Sequence, residues 1–344
     1  MPDDSPHGRR TSIIDVAAHA GVSRQTVSNV LHDRRTNVSS DTYDRVLAAI
    51  AELGYQPNRA AQNLRTRRSM QIGYHLSGEH LRVVNGFFAQ FLHALIRQAA
   101  RDRYQVVVFT HQDDPLRTFT DLVAQRTIDA FVLSESAVDD PRARLLADRG
   151  IPFACMGRLA ADLPQQWVDV DNAAGMRDLI DHLVARGHRS FAYAGADGGE
   201  YWKTERLDGA VAGLAAHGLR LAGRDVFHGD DAGIRRFARR VLTRTRVPDV
   251  IVCGSDAVAA VVVNVAHALG RRVGADVAVT GFDGGAVGMF MEPVLTSVHI
   301  PLEEIAHELV QRCRREIETG PTGAPGLILP TRVVEGASAG PVRR

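Results

Sequence analysis

Apolar and polar positions alternate with two different rhythms along the chain, helical at the start and mixed strand and helix from residue 70 onward. The first rhythm fills the stretch TSIIDVAAHAGVSRQTVS, residues 11–28. Its apolar run from Ile13 to Ala20 predicts one short helix, with Ser12 as N-cap and Asp15 three residues on, a capping box with Asp in place of Glu. Gly21 can take the left-handed conformation that ends a helix. Val22 then reads as an apolar plug, and Ser23 as the cap of a second helix over 24–31. That helix divides cleanly: Val27, Val30 and Leu31 face inward, while Arg24, Gln25, Ser28 and Asn29 are polar hydrogen-bonders facing out. Two short helices across a tight turn make a helix-turn-helix, whose second helix lies in the DNA major groove. An ordinary helical hairpin at the edge of an enzyme would show the same pattern. A third helix follows over 40–53, with Val46, Leu47, Ile50 and Leu53 on one face and Gly54 at its end. Together the three enclose a small core of about 50 residues, a feasible size.

The second rhythm begins at Met70. Apolar runs predict strands over 71–76, 105–110, 130–133, 153–156, 168–170, 190–194, 250–253, 277–281 and 295–298. Amphipathic patterns predict helices over 87–103, 115–125, 141–149, 173–186, 205–217, 232–245, 256–269 and 302–318. This alternation implies doubly wound parallel sheets with helices on both faces. About 270 residues is generous for one such sheet, so two lobes are expected. Ligands of such folds bind beyond the carboxyl ends of the strands, and between lobes where there are two. Residues 1–10 and 337–344 read as a disordered leader and tail.

Between the rhythms, residues 55–65 (YQPNRAAQNLR) contain helix formers but are too short for a stable isolated helix. Arg59, Arg65, Arg67 and Arg68 add four positive charges with no acid between them. A solvated linker is one reading. The other is a hinge that turns helical on DNA, its arginines meeting phosphates and Leu64 wedging into the minor groove.

Composition narrows the options. At 344 residues, 45% hydrophobic and 24% charged, the chain has the make-up of a soluble globular protein. Its net charge of +1 means that any nucleic-acid partner must be met locally. Lys203 is the single lysine; the other basic residues are arginine. Cys155, Cys253 and Cys313 are far apart and odd in number, which suits free thiols in a reducing compartment. The polar N-terminus carries no apolar export segment, and no run nears a membrane span, so a cytoplasmic location is expected. No cofactor fingerprint, P-loop, nucleophile elbow or metal-ligand cluster stands out, which argues against an α/β enzyme.

The segments IIDVAAHAGVSRQTVSNVL, YQPNRAAQNLR and IGY resemble the N-terminal signature of the lactose-repressor (LacI/GalR) family. VDVDNAAGM, ARGHRSFAYAG, RLDGAVAGL, VIVCGSDAVA and VAVTGFDG continue the resemblance over roughly residues 11–335. It implies an all-α helix-turn-helix DNA-binding domain over 11–56, a hinge over 57–69, and a two-lobed α/β core like the periplasmic sugar-binding proteins over 70–336. The N-lobe would take 70–170 and 299–329, the C-lobe 171–298 and 330–336. It further implies a homodimer on a pseudo-palindromic double-stranded operator, with paired Leu64 side chains prying open a central base step, and no catalytic role.

For DNA, the resemblance points to Ser23, Arg24, Gln25, Thr26, Ser28 and Asn29, and in the hinge to Asn58, Arg59, Ala61 and Leu64. Gln pairs bidentately with adenine and Arg with guanine. Asn29 stands where some relatives have Arg. For a small-molecule effector it points to Arg206 and Asp283, a guanidinium donor and a carboxylate acceptor able to clamp a ring of hydroxyls; a structural salt bridge is the plainer role. Asp256 reads as a ligand contact or as part of a helix start, for which Ser255 is the better cap. Asn85, Phe87 and Phe88 mark the N-lobe edge of the cleft, one of the two Phe rings being core. Trp202 can stack on a pyranose or pack on the surface. Glu135 and Arg158 follow strand ends as weaker candidates, and His188 reads as a turn residue. Purine-binding relatives place an aromatic where Arg158 stands and basic or hydroxyl residues where Glu200 and Trp202 stand, which favours a sugar over a purine.

Overall fold

The computed structural model describes residues 11–341 except 32–33, 35–37, 56–67, 77–85, 112–113 and 199. The chain forms two compact units, residues 1–69 and 70–344. In the first, α1 (Ile13–His19), α2 (Arg24–Leu31) and α3 (Ser40–Glu52) pack around Val16, Val27, Val30, Val46 and three alanines. The capping box forms: Ser12 N–H donates to Asp15 Oδ2 at 2.8 Å, and Asp15 N–H to Ser12 Oγ at 3.4 Å. Gly21 turns the chain at φ +64°, where a side chain would be strained. Ser23 Oγ accepts Thr26 N–H at 3.1 Å and starts α2. Arg45 of α3 donates to Ala20 O at 2.9 Å, satisfying a carbonyl that α1 leaves open at its end. One expectation fails here. Leu47 is 44% exposed, and Ala49 fills the inner face instead. The helical face through Val46, Ala49, Ile50 and Leu53 leaves position 47 about 100° off it.

The second unit holds two six-stranded sheets. Strands β1 (Gln71–His75), β2 (Gln105–Phe109), β3 (Ala130–Leu133), β4 (Phe153–Met156) and β5 (Trp167–Val170) belong to the N-lobe. β6 (Phe191–Gly195), β7 (Val226–His228), β8 (Val250–Cys253), β9 (Ala278–Asp283) and β10 (Thr296–His299) belong to the C-lobe. β11 (Leu327–Leu329) returns to the N-lobe and β12 (Arg332–Val334) to the C-lobe. The strand orders are β11-β5-β4-β3-β1-β2 and β12-β10-β9-β8-β6-β7. All pairings are parallel except β10 with β12. Buried runs such as AFVL in β3 and VIVC in β8 are what a sheet covered on both faces requires.

The chain crosses between lobes at Asp171, at Ile300–Pro301 and at Pro330–Thr331, the gaps between β5, β10 or β11 and the element that follows each. Helices Asn172–Ala185 and Tyr201–Ala216 pack tightly in the C-lobe. A Cβ on Gly209 would lie 2.5 Å from Ala173 O, so that approach needs glycine.

The expected disordered tail is ordered through residue 341. Ser338 is fully buried, donates to Val279 O at 2.6 Å and accepts Thr296 N–H at 2.8 Å. His188, buried as a turn residue, shares a 3.0 Å hydrogen bond with Gly340 O. The segment's small residues concealed this: a single hydroxyl bridging two strands leaves no apolar periodicity. All three cysteines are buried and free.

Candidate functional site: a DNA-reading helix and an interlobe cleft

Ser23, which caps α2, and Arg24 and Gln25 in its first turn are exposed, and Thr26, Ser28 and Asn29 partly so. Val27 and Val30 anchor the opposite face with 0% and 3% exposure. Gln25 Nε2 donates to Asn29 Oδ1 at 3.1 Å, one helical turn on. That leaves Gln25 Oε1 as acceptor and Asn29 Nδ2 as donor toward solvent, complementary to the paired donor and acceptor on a base edge. Ser23 and Thr26 hydroxyls are 2.9 Å apart at the helix start. Asn58, Arg59, Ala61 and Leu64, and Asn85, expected at the cleft edge, lie outside the described residues.

In the second unit a cavity of about 780 Å³ opens between the lobes at the carboxyl ends of the strands. Phe87, Phe88, Glu135, Arg158, Trp202, Arg206 and Asp283 all line it. Arg206 sits at its C-lobe wall, 4% exposed. Its Nε donates to Asn172 Oδ1 at 2.9 Å and its Nη1 to Gly254 O at 2.7 Å, with Asp283 Oδ1 at 3.5 Å. The guanidinium lies 3.7 Å from the Phe282 ring centroid and 4.3 Å from that of Trp202. One face of Trp202 is therefore already occupied.

Asp283 ends β9 with φ +145°, a conformation side chains rarely adopt. It accepts Asp256 N–H at 3.3 Å, at the first turn of helix Asp256–Ala268. Burial pushes its carboxyl up to about 8, against the opposing pull of Arg206. Burial in turn draws the Arg206 guanidinium down.

Across the cleft, Arg158 reaches Glu205 Oε1 at 2.5 Å from its Nη1, with Asp169 Oδ2 3.4 Å from its Nε. That last pair of atoms is buried without hydrogen bonds. Asn172, fully buried, joins both sides: its Nδ2 lies 3.4 Å from Asp169 Oδ1 and 3.4 Å from Glu205 Oε2. Burial raises Asp169 to about 6. Lys203 pairs with Glu200 at 2.8 Å. Each guanidinium or ammonium on the described cleft wall thus has an Asp or Glu carboxyl group beside it. A neutral, hydroxyl-rich molecule fits these surroundings better than an anion, which would meet an acidic side chain at every cation.

Asp256 is not brought to the cavity wall. It is 3% exposed, accepts the Ser297 hydroxyl at 2.5 Å and Gly285 N–H at 3.0 Å, and pins β10 to the turn after β9. Ser255 caps the helix by accepting Val258 N–H at 3.2 Å. Sequence reasoning missed Asp169, Asn172 and Glu205. The first two lie inside the VDVDNAAGM segment and Glu205 directly precedes Arg206, so their spacing to recognised positions was the available signal. It also missed His75, His111 and Arg142 on the N-lobe wall. Among the described residues no group of three His, Cys, Asp or Glu side chains could hold a metal, and no helix is long and apolar enough to cross a membrane.

A helix-turn-helix and a two-lobed binding core on one chain define the class: DNA-binding proteins with a small-molecule site. Comparison with known proteins gives the family. Residues 12–58 match the model described as "Bacterial regulatory proteins, lacI family", and residues 180–339 that of a "Periplasmic binding protein-like domain". The HTH-type transcriptional regulator CelR of Thermobifida fusca is 32% identical over 334 residues, 95% of this chain and 97% of that protein. The ribose operon repressor of Halalkalibacterium halodurans is 29% identical, over 94% and 96%. Among solved structures, a transcriptional regulator CelR–cellobiose complex superposes with TM-score 0.71 at 29% identity, over 96% of this chain and all of the other. A lac repressor dimer bound to operator shares the fold with TM-score 0.79 at 23% identity, over 96% and 100%. The chain belongs to the lacI family of bacterial regulatory proteins.

Proposed function

We propose that this protein is a cytoplasmic repressor of carbohydrate-metabolism genes whose operator affinity is switched by a neutral sugar bound between the core lobes. The observation that carries the reading is the buried Arg206–Asn172–Asp283 cluster beside Trp202 in a cleft whose cations are already paired. Such charge-assisted groups reward a ring of hydroxyls, each bond being worth about 1.5–3 kcal/mol. The similar CelR structure is a complex with cellobiose, and another relative is a ribose operon repressor, which supports a saccharide. Arg24, Gln25, Ser28 and Asn29 read bases, with Ser23 and Thr26 at the helix start. The hinge residues Asn58, Arg59, Ala61 and Leu64 complete the contact with DNA. No catalytic residue is assigned.

The protein works as a homodimer on a pseudo-palindromic operator. Met289 and Phe290, 65% and 88% exposed, and Ile96, 45% exposed, offer apolar surface for a second copy, and the operator-bound lac repressor is a dimer.

The test is a titration of selected operator DNA with and without sugars that raise the protein's melting temperature. A bound sugar is expected to change operator affinity about 5–150-fold, the range for a coupling of about 1–3 kcal/mol. Arg206→Met should abolish the response while leaving operator binding intact. Operator affinity that ignores every stabilising sugar refutes the switch.

A further inference from the structure

His75 ends β1, and His111 lies two residues beyond β2, its parallel neighbour, in which Phe109 is the register partner of His75. The pairing sets the two imidazoles together: ring centroids 4.9 Å apart, 29° from parallel, with His75 Nε2 2.8 Å from His111 Nδ1. On the other side, Arg142 Nη1 is 3.1 Å from His75 Nδ1. Arg142 is itself fixed, donating to Asp140 Oδ2 at 2.6 Å and Oδ1 at 3.0 Å and to Ser134 O at 2.9 Å.

These contacts decide the tautomers. A guanidinium only donates, so His75 Nδ1 accepts and carries no proton. A neutral imidazole has one proton, which must then sit on Nε2 and be donated to His111 Nδ1. In neutral His111 the proton therefore resides on Nε2. Burial holds the His75 ring down at about 4, helped by the guanidinium N–H that a second ring proton would face. Among the described residues nothing is hydrogen-bonded to His111 Nε2, and both rings line the cavity.

We infer that His111 is an effector-binding residue, the donor of a second saccharide subsite on the N-lobe wall, with Arg142 and His75 as positioning residues that fix its proton on Nε2. The inference rests on the sugar reading of the cleft. Its ligand is a ring, glycosidic or hydroxyl oxygen of a sugar residue beyond the one held at Arg206 and Asp283. The effector is therefore a di- or oligosaccharide. The two walls are complementary to such a molecule. On the C-lobe side Arg206 and Asp283 give a donor and an acceptor for the hydroxyls of one ring, and on the N-lobe side His111 gives an N–H for an oxygen of the next. A cavity of about 780 Å³ is large enough for a ligand of two rings.

The experiment compares cellobiose with glucose by calorimetry on the full-length protein, in the wild type and in His111→Phe and His111→Gln. In His111→Phe the ratio of cellobiose to glucose affinity should fall at least tenfold, and the Gln amide should restore part of it. Long-range proton–nitrogen spectra of the wild type should show His111 protonated on Nε2 and that signal moving with cellobiose but not glucose. In Arg142→Met the His75 and His111 tautomers should become mixed. A wild type that binds neither sugar overturns the sugar reading itself. Sugar binding with an unchanged ratio in His111→Phe, or a His111 proton on Nδ1, overturns the subsite alone.

Discussion

Asp283 carries two burdens at once, a strained backbone and a buried carboxyl beside a buried guanidinium. Its raised pKa, about 8, has a stability consequence. Between the unfolded value near 4 and 8, the folded state holds a proton that the unfolded state has released. Stability contributed this way is complete below pH 4 and is lost as pH rises through 8. Asp169, raised to about 6, acts with the same sign but is spent by about pH 7. His75, lowered from 6.5 to about 4, acts in the opposite sense and gains its full effect only about a pH unit above its unfolded value, near 7.5. Of these three groups, only Asp283 titrates between about 7.5 and 9. The urea midpoint of the wild type is expected to decline across that interval, and Asp283→Asn to flatten the decline. Parallel slopes in the two proteins would refute the assignment.

At the scale of elements, the pins between strands decide what the cleft can do. Asp256 holds Ser297 of β10 and Gly285 of the following turn, and so holds the turn that carries Asp283. Asp256→Ala strands a hydroxyl and an N–H, at about 1–3 kcal/mol each, so a loss of about 2–6 kcal/mol is expected in denaturant unfolding. Sugar affinity of the folded variant should drop less than in Arg206→Met; an equal drop would return Asp256 to the ligand site.

Elements with strong periodicity were legible in the chain: the capping box at Ser12 and Asp15, and every strand that is buried on both faces. β7, β11 and β12 were not, because each is three residues long and none is fully buried. The clamp of Arg206 and Asp283 was legible through its motifs. The Arg142–His75–His111 chain was not. Its members are separated by 36 and 67 residues and meet only through strand register and the placement of helix Pro141–Asp148.

At the scale of the whole molecule, self-association is the property most open to test. Phe290 at 88% exposure stands next to Met289 at 65%, and adjacent exposed apolar side chains are the kind of surface that a second copy would cover. If the proposed dimer uses this face, Phe290→Asp should sediment as a monomer at micromolar protein where the wild type sediments as a dimer, with the core's sugar binding unchanged. A dimer that survives the substitution would place the interface elsewhere.

The three crossings between lobes also set the mechanics of the core. β11 lies beside β5 at the edge of one sheet and β12 beside β10 at the edge of the other, so the crossings run side by side. Two plates tied along one edge retain a single soft degree of freedom, rotation about that line. Pro301 and Pro330 stand in two of the three ties and lock one torsion in each. The third tie, Asp171, has no such lock, and its carboxylate accepts Ala174 N–H at 2.8 Å to begin the next helix. Torque between the lobes should therefore be borne by the proline ties and released at Asp171, one residue from the Asn172 that touches Arg206.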